Sequence, residues 1–507
     1  MPAGHRLRAW QSLECPPVKD LAHQEFTEQM SRKTVKRVKT GAFERRFSLA
    51  RAGLLAGARY ATLTAGTYLA PRDQRESRRR KILSSQAQEL VRELGKLKGS
   101  VVKIGQMMAL FGEHFLPEEV TAALHTLENS TTALEWPAIE RQLRKELGDL
   151  KLAELEVDRD PLGAASLGQV HRAVRKRDGR ELVLKIQYPG VADAIDSDMR
   201  AVVQLLKLSR LVPITDQFNQ WLDEVRAMLG REVDYDLEAY TTRHFRALLA
   251  DDTRFVVPEV IGNYSTHAVL CLSYEHGINV SDPAVLELSQ TRRDFIGRAI
   301  MELCCHEVFI WNKMQTDPNF GNYLLRVGDR PEDDQIVLLD FGAIRDFDDE
   351  ILGPGREMIR AAWHHDETRL FRALHALGFL AGTAPQRVLD DFALLCFEAI
   401  EVLQDPDRFP PPAHVLNENG EYLWGNSDLP SRVMARASRN ALSMHFDVPP
   451  KEFIFLARKL LGAYTFLHVI EAQVRGDSIL RPFIEHHEKE DLALVDRKYT
   501  EKHPVND

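Results

Sequence analysis

An apolar run, Val337-Leu338-Leu339, ends on Asp340-Phe341-Gly342, and it follows the segment Thr316-Asp317-Pro318-Asn319-Phe320-Gly321-Asn322. This ordered pair of segments constrains the fold more than any other feature of the chain. A carboxylate that closes a buried strand is held at a fixed place. An aspartate followed by asparagine at D-x-x-x-x-N spacing adds a second carboxylate and an amide oxygen on one loop. Such hard oxygens suit Mg²⁺. Upstream, Lys185 stands in the strand-like run Leu182-Val183-Leu184-Lys185-Ile186. An ammonium among apolar neighbours needs an anionic partner, because an unpaired buried charge is strongly unfavourable. Ahead of that run, Gly163-Ala164-Ala165-Ser166 and Gly168 form a small-residue turn that leads into Val170. Turns of this kind let backbone N–H groups approach a phosphate closely. Any one of the four features is common; the four in this order are not.

Composition narrows the class. The chain has 507 residues, 44% hydrophobic and 28% charged, enough for two or three packed units. Its net charge of −9 argues against nucleic acid as a partner. The five cysteines, Cys15, Cys271, Cys304, Cys305 and Cys396, contain no CxxC pair and are expected as reduced, buried thiols of a cytoplasm-like compartment. His306 and His364-His365 show no metal-binding spacing. The first residues lack an apolar signal core. Gly53–Ala70 carries Arg59 in its middle, so no membrane-spanning helix is expected. Arg45, Arg46, Arg51 and Arg59 lie beside apolar residues at helical spacing, which leaves room for peripheral membrane contact.

The pattern along the chain predicts an α+β fold. Residues 1–74 read as a polar, basic tail with a candidate peripheral helix, and 75–135 as a helical extension. Residues 136–275 read as a small unit of five mainly antiparallel strands, with strands near 152–160, 168–174, 181–190, 254–260 and 267–274. Arg177-Asp178-Gly179 is a hairpin signal. Helices are expected at about 191–209 and 216–249. Residues 276–480 read as a larger helical unit, and 481–507 as a tail. A small sheet unit before a larger helical one, with a nucleotide pocket expected between them, is the order of a protein kinase.

The motifs resemble those of kinases in detail. Leu-Val-Leu-Lys185 resembles V-A-I-K, and Gly163-x-Ala165-x-x-Gly168-x-Val170 resembles the glycine-rich loop with alanine at its middle glycine. Asp317 to Asn322 resembles the catalytic loop, although Gln315-Thr316 replaces the usual His-Arg, and Asp340-Phe341-Gly342 is the DFG pattern. Two further motifs point to one family. Lys103-Ile104-Gly105-Gln106 is similar to the KxGQ motif, and Glu232-Val233-Asp234 to the ExD motif, of the AarF/UbiB/ADCK atypical kinase-like family. The resemblance covers roughly residues 75–470.

That resemblance implies a bilobal protein-kinase-like fold with a helical KxGQ extension. It implies ATP or ADP and Mg²⁺ as cofactors. Lys185 would bind the nucleotide phosphates with Glu238 as its helix partner, expected on the same helix as Glu232. Asn322 and Asp340 would hold Mg²⁺, and Asp317 would stand at the general-base position. Lys103 and Gln106 would reach towards the site, with Lys103 latched by Glu232 and Asp234. Gly163 departs from the family's Ala-Ala-Ala-Ser, and the hydrophobic carboxy-terminal spans of bacterial UbiB are not seen. A soluble or membrane-peripheral protein is therefore expected, cytoplasmic or, in a eukaryote, in the mitochondrial matrix. Three functions stay open: an ATPase regulating isoprenoid-lipid, ubiquinone-type metabolism through lipids or membrane-associated biosynthetic enzymes; a true phosphotransferase on a protein or small molecule; and a nucleotide-gated scaffold at a membrane.

Overall fold

A computed structural model describes residues 100–111, 116, 118–126, 133–209, 215–317, 319–379, 385–441 and 451–502, with a few positions from 84 to 91. The expected tail at 1–74 and its candidate peripheral helix lie outside the described residues. The chain forms two compact units. The sheet unit takes the described residues up to Arg243 together with 259–274; the helical unit takes 244–258 and 275–502.

In the sheet unit, helices α1 (Ser100–Phe111) and α2 (Glu118–His125) precede α3 (Trp136–Ala153). Strands β1 (Leu155–Val157), β2 (Gly163–Ala164), β3 (Gly168–Arg175) and β4 (Arg180–Gln187) follow, then helices α4 (Val191–Ser209), α5 (Asp216–Glu232) and α6 (Tyr235–Leu248). After β5 (Phe255–Val256), the strand β6 (Val269–Ser273) completes an antiparallel sheet of order β1-β3-β4-β6, with β2 on β3. The β3–β4 hairpin turns where the sequence predicts it. Gly179 takes φ +70°, which a side chain would strain. Arg175 donates to Asp178 beside it and holds that carboxyl down to about 2.

The two sides of β4 bury different partners. Leu182, Leu184 and Ile186 pack with Ile139 and Leu143 of α3. On β6, Leu270 and Leu272 pack with Tyr235 and Ala239 of α6. The extension has a core of its own: Ile104 and Met108 of α1 and Val120 of α2 meet Met199 and Val202 of α4 and Phe218 and Val225 of α5. Burying such side chains contributes about 1.5–3 kcal/mol each before entropy is counted. The helical insert thus supplies the surface on which the extension folds.

Two expectations need correction here. The run at 254–260 divides: Val260 bridges to Leu272 at the edge of the five-stranded sheet, but the strand itself does not belong to that sheet. Its strand β5 lies in the helical unit, parallel to β10; β2 takes the fifth place instead. And Glu232 and Glu238 are not on one helix. The expected 216–249 helix breaks at Val233, and Asp234 opens a new one: its carbonyl accepts from Glu238 N (3.0 Å) and its carboxylate from Leu237 N (2.8 Å). Aspartate prefers this capping place because it satisfies an N–H that the first helical turn leaves free.

In the helical unit, β5, β7 (Ile278–Asn279), β9 (Tyr323–Arg326) and β10 (Gln335–Leu338) form a sheet of order β5-β10-β9-β7, and β8 (Lys313–Gln315) pairs with β11 (Ile344–Asp346). The helices are α7 (Gln290–His306), α8 (Asp349–His364), α9 (Glu367–Leu377), α10 (Gln386–Ala399), α11 (Leu429–Ala441), α12 (Lys451–Val469), α13 (Gly476–Leu480) and α14 (Glu488–Lys502). The expected tail from 481 is largely the last of these. Arg356 and Arg360 of α8 both donate to the buried Asp491 of α14, at 2.6–2.8 Å, which pins the helix to the unit. Among the described residues, no helix is long and apolar enough to cross a membrane.

Candidate functional site

The sheet register aligns the small-residue loop with Lys185. Gly163 pairs with Val170, Val170 with Lys185, and Lys185 with Leu270. Directly opposed residues share a face of a sheet. The loop, Val170 and Lys185 therefore lie along one line. Lys185 Nζ donates to both carboxylate oxygens of Glu238 at 2.8 Å, and it lies 5.4 Å from the ring centre of Tyr235. Glu238 is buried on α6, whereas the Lys185 side chain keeps 26% of its exposure. The ammonium is thus paired behind and accessible in front.

The loop closes in a tight turn. Ala165 N donates to Gly168 O (2.8 Å), closing the turn over Ser166 and Leu167. Ala164 pairs with Gln169 in the sheet. Gly168 has a structural reason: a Cβ there would come within 2.5 Å of Ile186 O. At Gly163 a Cβ would meet nothing within 4 Å, so the packing there does not demand glycine.

The extension reaches its partner in the same unit. Lys103 Nζ meets Glu232 Oε1 at 2.6 Å. Gln106 is half-buried on the same helix, α1. Asp234 is occupied by its capping bond, so of the two ExD carboxylates Glu232 is the one the ion pair engages.

The helical unit carries Asp317, Asn322 and Asp340. Asn322 Nδ2 donates to Asp317 Oδ2 (3.0 Å), which orients the aspartate and turns the amide oxygen of Asn322 away from it. Leu339 N donates to Asn322 O (2.9 Å), tying the loop to the strand that ends on Asp340. Asp340 Oδ1 accepts from Gly342 N (2.8 Å). Phe341 is buried against Phe245, ring centres 5.3 Å apart. Among the described residues no three His, Cys, Asp or Glu side chains cluster as a metal site. An amide and a carboxylate nonetheless fit Mg²⁺, which keeps several waters and takes further oxygens from phosphates. Asn322 and Asp340 are the residues that would hold it.

Behind these groups stand residues that the motifs did not reveal. Gln315 Oε1 accepts from Asp317 N (3.1 Å), and Gln315 Nε2 donates to Asp340 O (2.5 Å). The side chain that replaces the usual histidine therefore links the two aspartates. Glu307 and Lys459 form a buried ion pair next to it. On α12, burial lowers the Arg458 guanidinium, and Asp317 opposes that shift. The only sequence signal for Gln315 was its place two residues before Asp317; Glu307, Arg458 and Lys459 had none.

The chain has relatives among known proteins. The family model of the ABC1 atypical kinase-like domain matches residues 126–374. The chain is 31% identical over 389 residues to the Caenorhabditis elegans protein named atypical kinase coq-8, mitochondrial, covering 76% of this chain and 49% of that one. It is 32% identical over 387 residues to atypical kinase COQ8B, mitochondrial, of Rattus norvegicus, covering 76% and 69%. With atypical kinase COQ8, mitochondrial, of Saccharomyces cerevisiae it shares 34% over 307 residues, 60% of each. The chain thus spans about half the length of the nematode protein and about two thirds of the rat one. The solved Rv3197–erythromycin complex from Mycobacterium tuberculosis has the same fold, with a TM-score of 0.53 and 24% identity over 78% of this chain and 94% of that one.

Proposed function

Because this chain belongs to the ABC1 atypical kinase-like family, also known as UbiB or AarF, we propose that it is a Mg²⁺-dependent ATPase that regulates isoprenoid-lipid metabolism of the ubiquinone type. The observation that carries the nucleotide reading is the bidentate Lys185–Glu238 pair. A lysine held in place by a buried carboxylate, with 26% of its side chain exposed, suits phosphate binding. Val170 and the Gly163–Ser166 turn lie beside it. Asn322 and Asp340 offer hard oxygens, and a bound Mg²⁺ would supply charge neutralisation for the phosphates. Asp317, held by Asn322, is aimed to accept a proton from an attacking hydroxyl or water. Regulation of ubiquinone-type metabolism rests on the names of the relatives, and with it the expectation of lipid or membrane-associated enzyme partners.

One observation separates this from an ordinary protein kinase. The Lys103–Glu232 pair fastens the extension to the end of α5, next to the cap of the helix that bears Glu238. A segment tied there favours hydrolysis gated by the extension over docking of a protein substrate. The intact Asp317 keeps transfer to a protein or small molecule as the second reading.

The test follows γ-labelled ATP into free phosphate, protein and lipid, with and without anionic liposomes, beside Asp340→Asn. Free phosphate, raised by liposomes and absent in Asp340→Asn, is the expected result. Label on an acceptor molecule makes the protein a phosphotransferase. No Asp340-dependent turnover removes the enzymatic reading.

A further inference from the structure

Glu307 is almost fully buried, in the π turn Glu307–Trp311 that follows α7, and Lys459 is buried on α12. Buried ion pairs are poor stabilisers: a well-packed apolar pair of similar volume often does as well or better. Something other than stability should therefore account for the carboxylate. Its second oxygen supplies the answer. Glu307 Oε1 accepts from Gln315 N (3.1 Å), while Lys459 takes the other side of the carboxylate. Gln315 then spends its side chain on Asp317 N and Asp340 O. Lys459 → Glu307 → Gln315 → Asp317 and Asp340 is thus one continuous chain of contacts within the helical unit.

The surroundings make the chain stiff. Beside Gln315 and Lys459, Ile300, Tyr323, Gly462 and Phe466 leave a cavity of only about 20 Å³, room for roughly one water. Glu307, Lys459 and Gln315 are all buried, so solvent screens the pair little. Burial would lower the Lys459 pKa; Glu307 more than offsets this and keeps the ammonium charged.

We propose that Glu307, with Lys459 as its counter-charge, is a positioning residue that fixes the Gln315 backbone and through the Gln315 side chain sets the spacing of Asp317 and Asp340. Neither touches a reacting atom. Their role rests on the nucleotide-and-Mg²⁺ reading above, for which Asp340 is a metal ligand.

Two double variants separate the hydrogen bond from the charge. Glu307→Gln with Lys459→Met removes the charges but keeps an oxygen for Gln315 N. Glu307→Leu with Lys459→Met removes both. Each exchanges a buried ion pair for uncharged groups of similar size, so both are expected to fold, checked by thermal unfolding. The readout is the Mg²⁺ concentration needed to load a fluorescent ADP onto the full chain. The Gln/Met variant should stay within about threefold of wild type. The Leu/Met variant should need about tenfold more Mg²⁺ or worse, the usual scale for losing a group that orients a metal ligand. Two variants that match wild type, or two that are equally weakened, overturn the proposal. Amide hydrogen exchange at Gln315 and Asp317 is measured alongside. If wild type loads no Mg²⁺·ADP, the nucleotide reading fails, and exchange alone decides the positioning role. Faster exchange only in Leu/Met supports it; equal exchange in both variants overturns it.

Discussion

Two lysine–glutamate pairs, one in each unit, use the same chemistry for opposite ends. Lys185–Glu238 lies in the sheet unit, with side-chain exposures of 26% and 4%. Lys459–Glu307 lies in the helical unit, with 10% and 2%. In the first pair the carboxylate is sealed and the ammonium is open. In the second both are sealed, and the carboxylate's spare oxygen is turned inward to Gln315. The difference teaches what a buried charge is for. A lysine meant to meet an anion must be paired enough to stay in place yet keep part of its surface exposed. A lysine meant to hold a neighbour is closed off, and its worth is read at the next residue along.

The comparison is broken most directly by single substitutions. Lys459→Met leaves Glu307 enclosed without its cation, and should destabilise the fold by about 3–5 kcal/mol, seen as a large fall in the unfolding midpoint. Lys185→Met should cost less stability, since ligand and water can reach the vacated place. It should instead weaken Mg²⁺·ADP binding by about tenfold or more, the scale of one charged hydrogen-bonding group. Equal losses of stability in the two variants would erase the distinction between the pairs.

Smaller effects sharpen it. Gly168→Ala forces a methyl against Ile186 O and should cost about 1–3 kcal/mol, because overpacking at backbone has no easy relief. Its damage should be to unfolding temperature first and nucleotide affinity second. Lys103→Ala breaks a partly exposed pair and should change stability by only about 0.2–1 kcal/mol. Its effect belongs to turnover: hydrolysis or transfer should change while the midpoint of unfolding hardly moves. A large stability loss there would make the extension a structural prop rather than a latch.

What was legible in the sequence follows from how local each signal is. Lys185, Asp317, Asn322 and Asp340 announce themselves because each sits in a short pattern set by its own strand or loop. Lys103 and Glu232 needed two motifs read together, and the structure pairs them. The break between Glu232 and Glu238 had a local signal in Asp234, a residue suited to opening a helix, but the apolar periodicity on both sides hid it. The run at 254–260 reads as one strand but serves two sheets, Phe255 and Val256 pairing with β10 and Val260 bridging to Leu272, because a short apolar run carries no record of its partners. The charged run Glu488–Lys502 reads as a solvated tail until Arg356 and Arg360 are seen around Asp491. Glu307 and Lys459 had no chance of being paired by pattern; only the fold brings α12 to the end of α7.

We propose that Lys185, paired with Glu238, binds the nucleotide phosphates and that Asn322 and Asp340 hold Mg²⁺. Titration of fluorescent ADP with and without Mg²⁺ on wild type, Lys185→Met and Asp340→Asn tests it most directly. Binding that requires Mg²⁺ in wild type, is weakened about tenfold in Lys185→Met and needs at least about tenfold more Mg²⁺ in Asp340→Asn is the predicted result. Binding that ignores Mg²⁺, or that both variants retain unchanged, would contradict it.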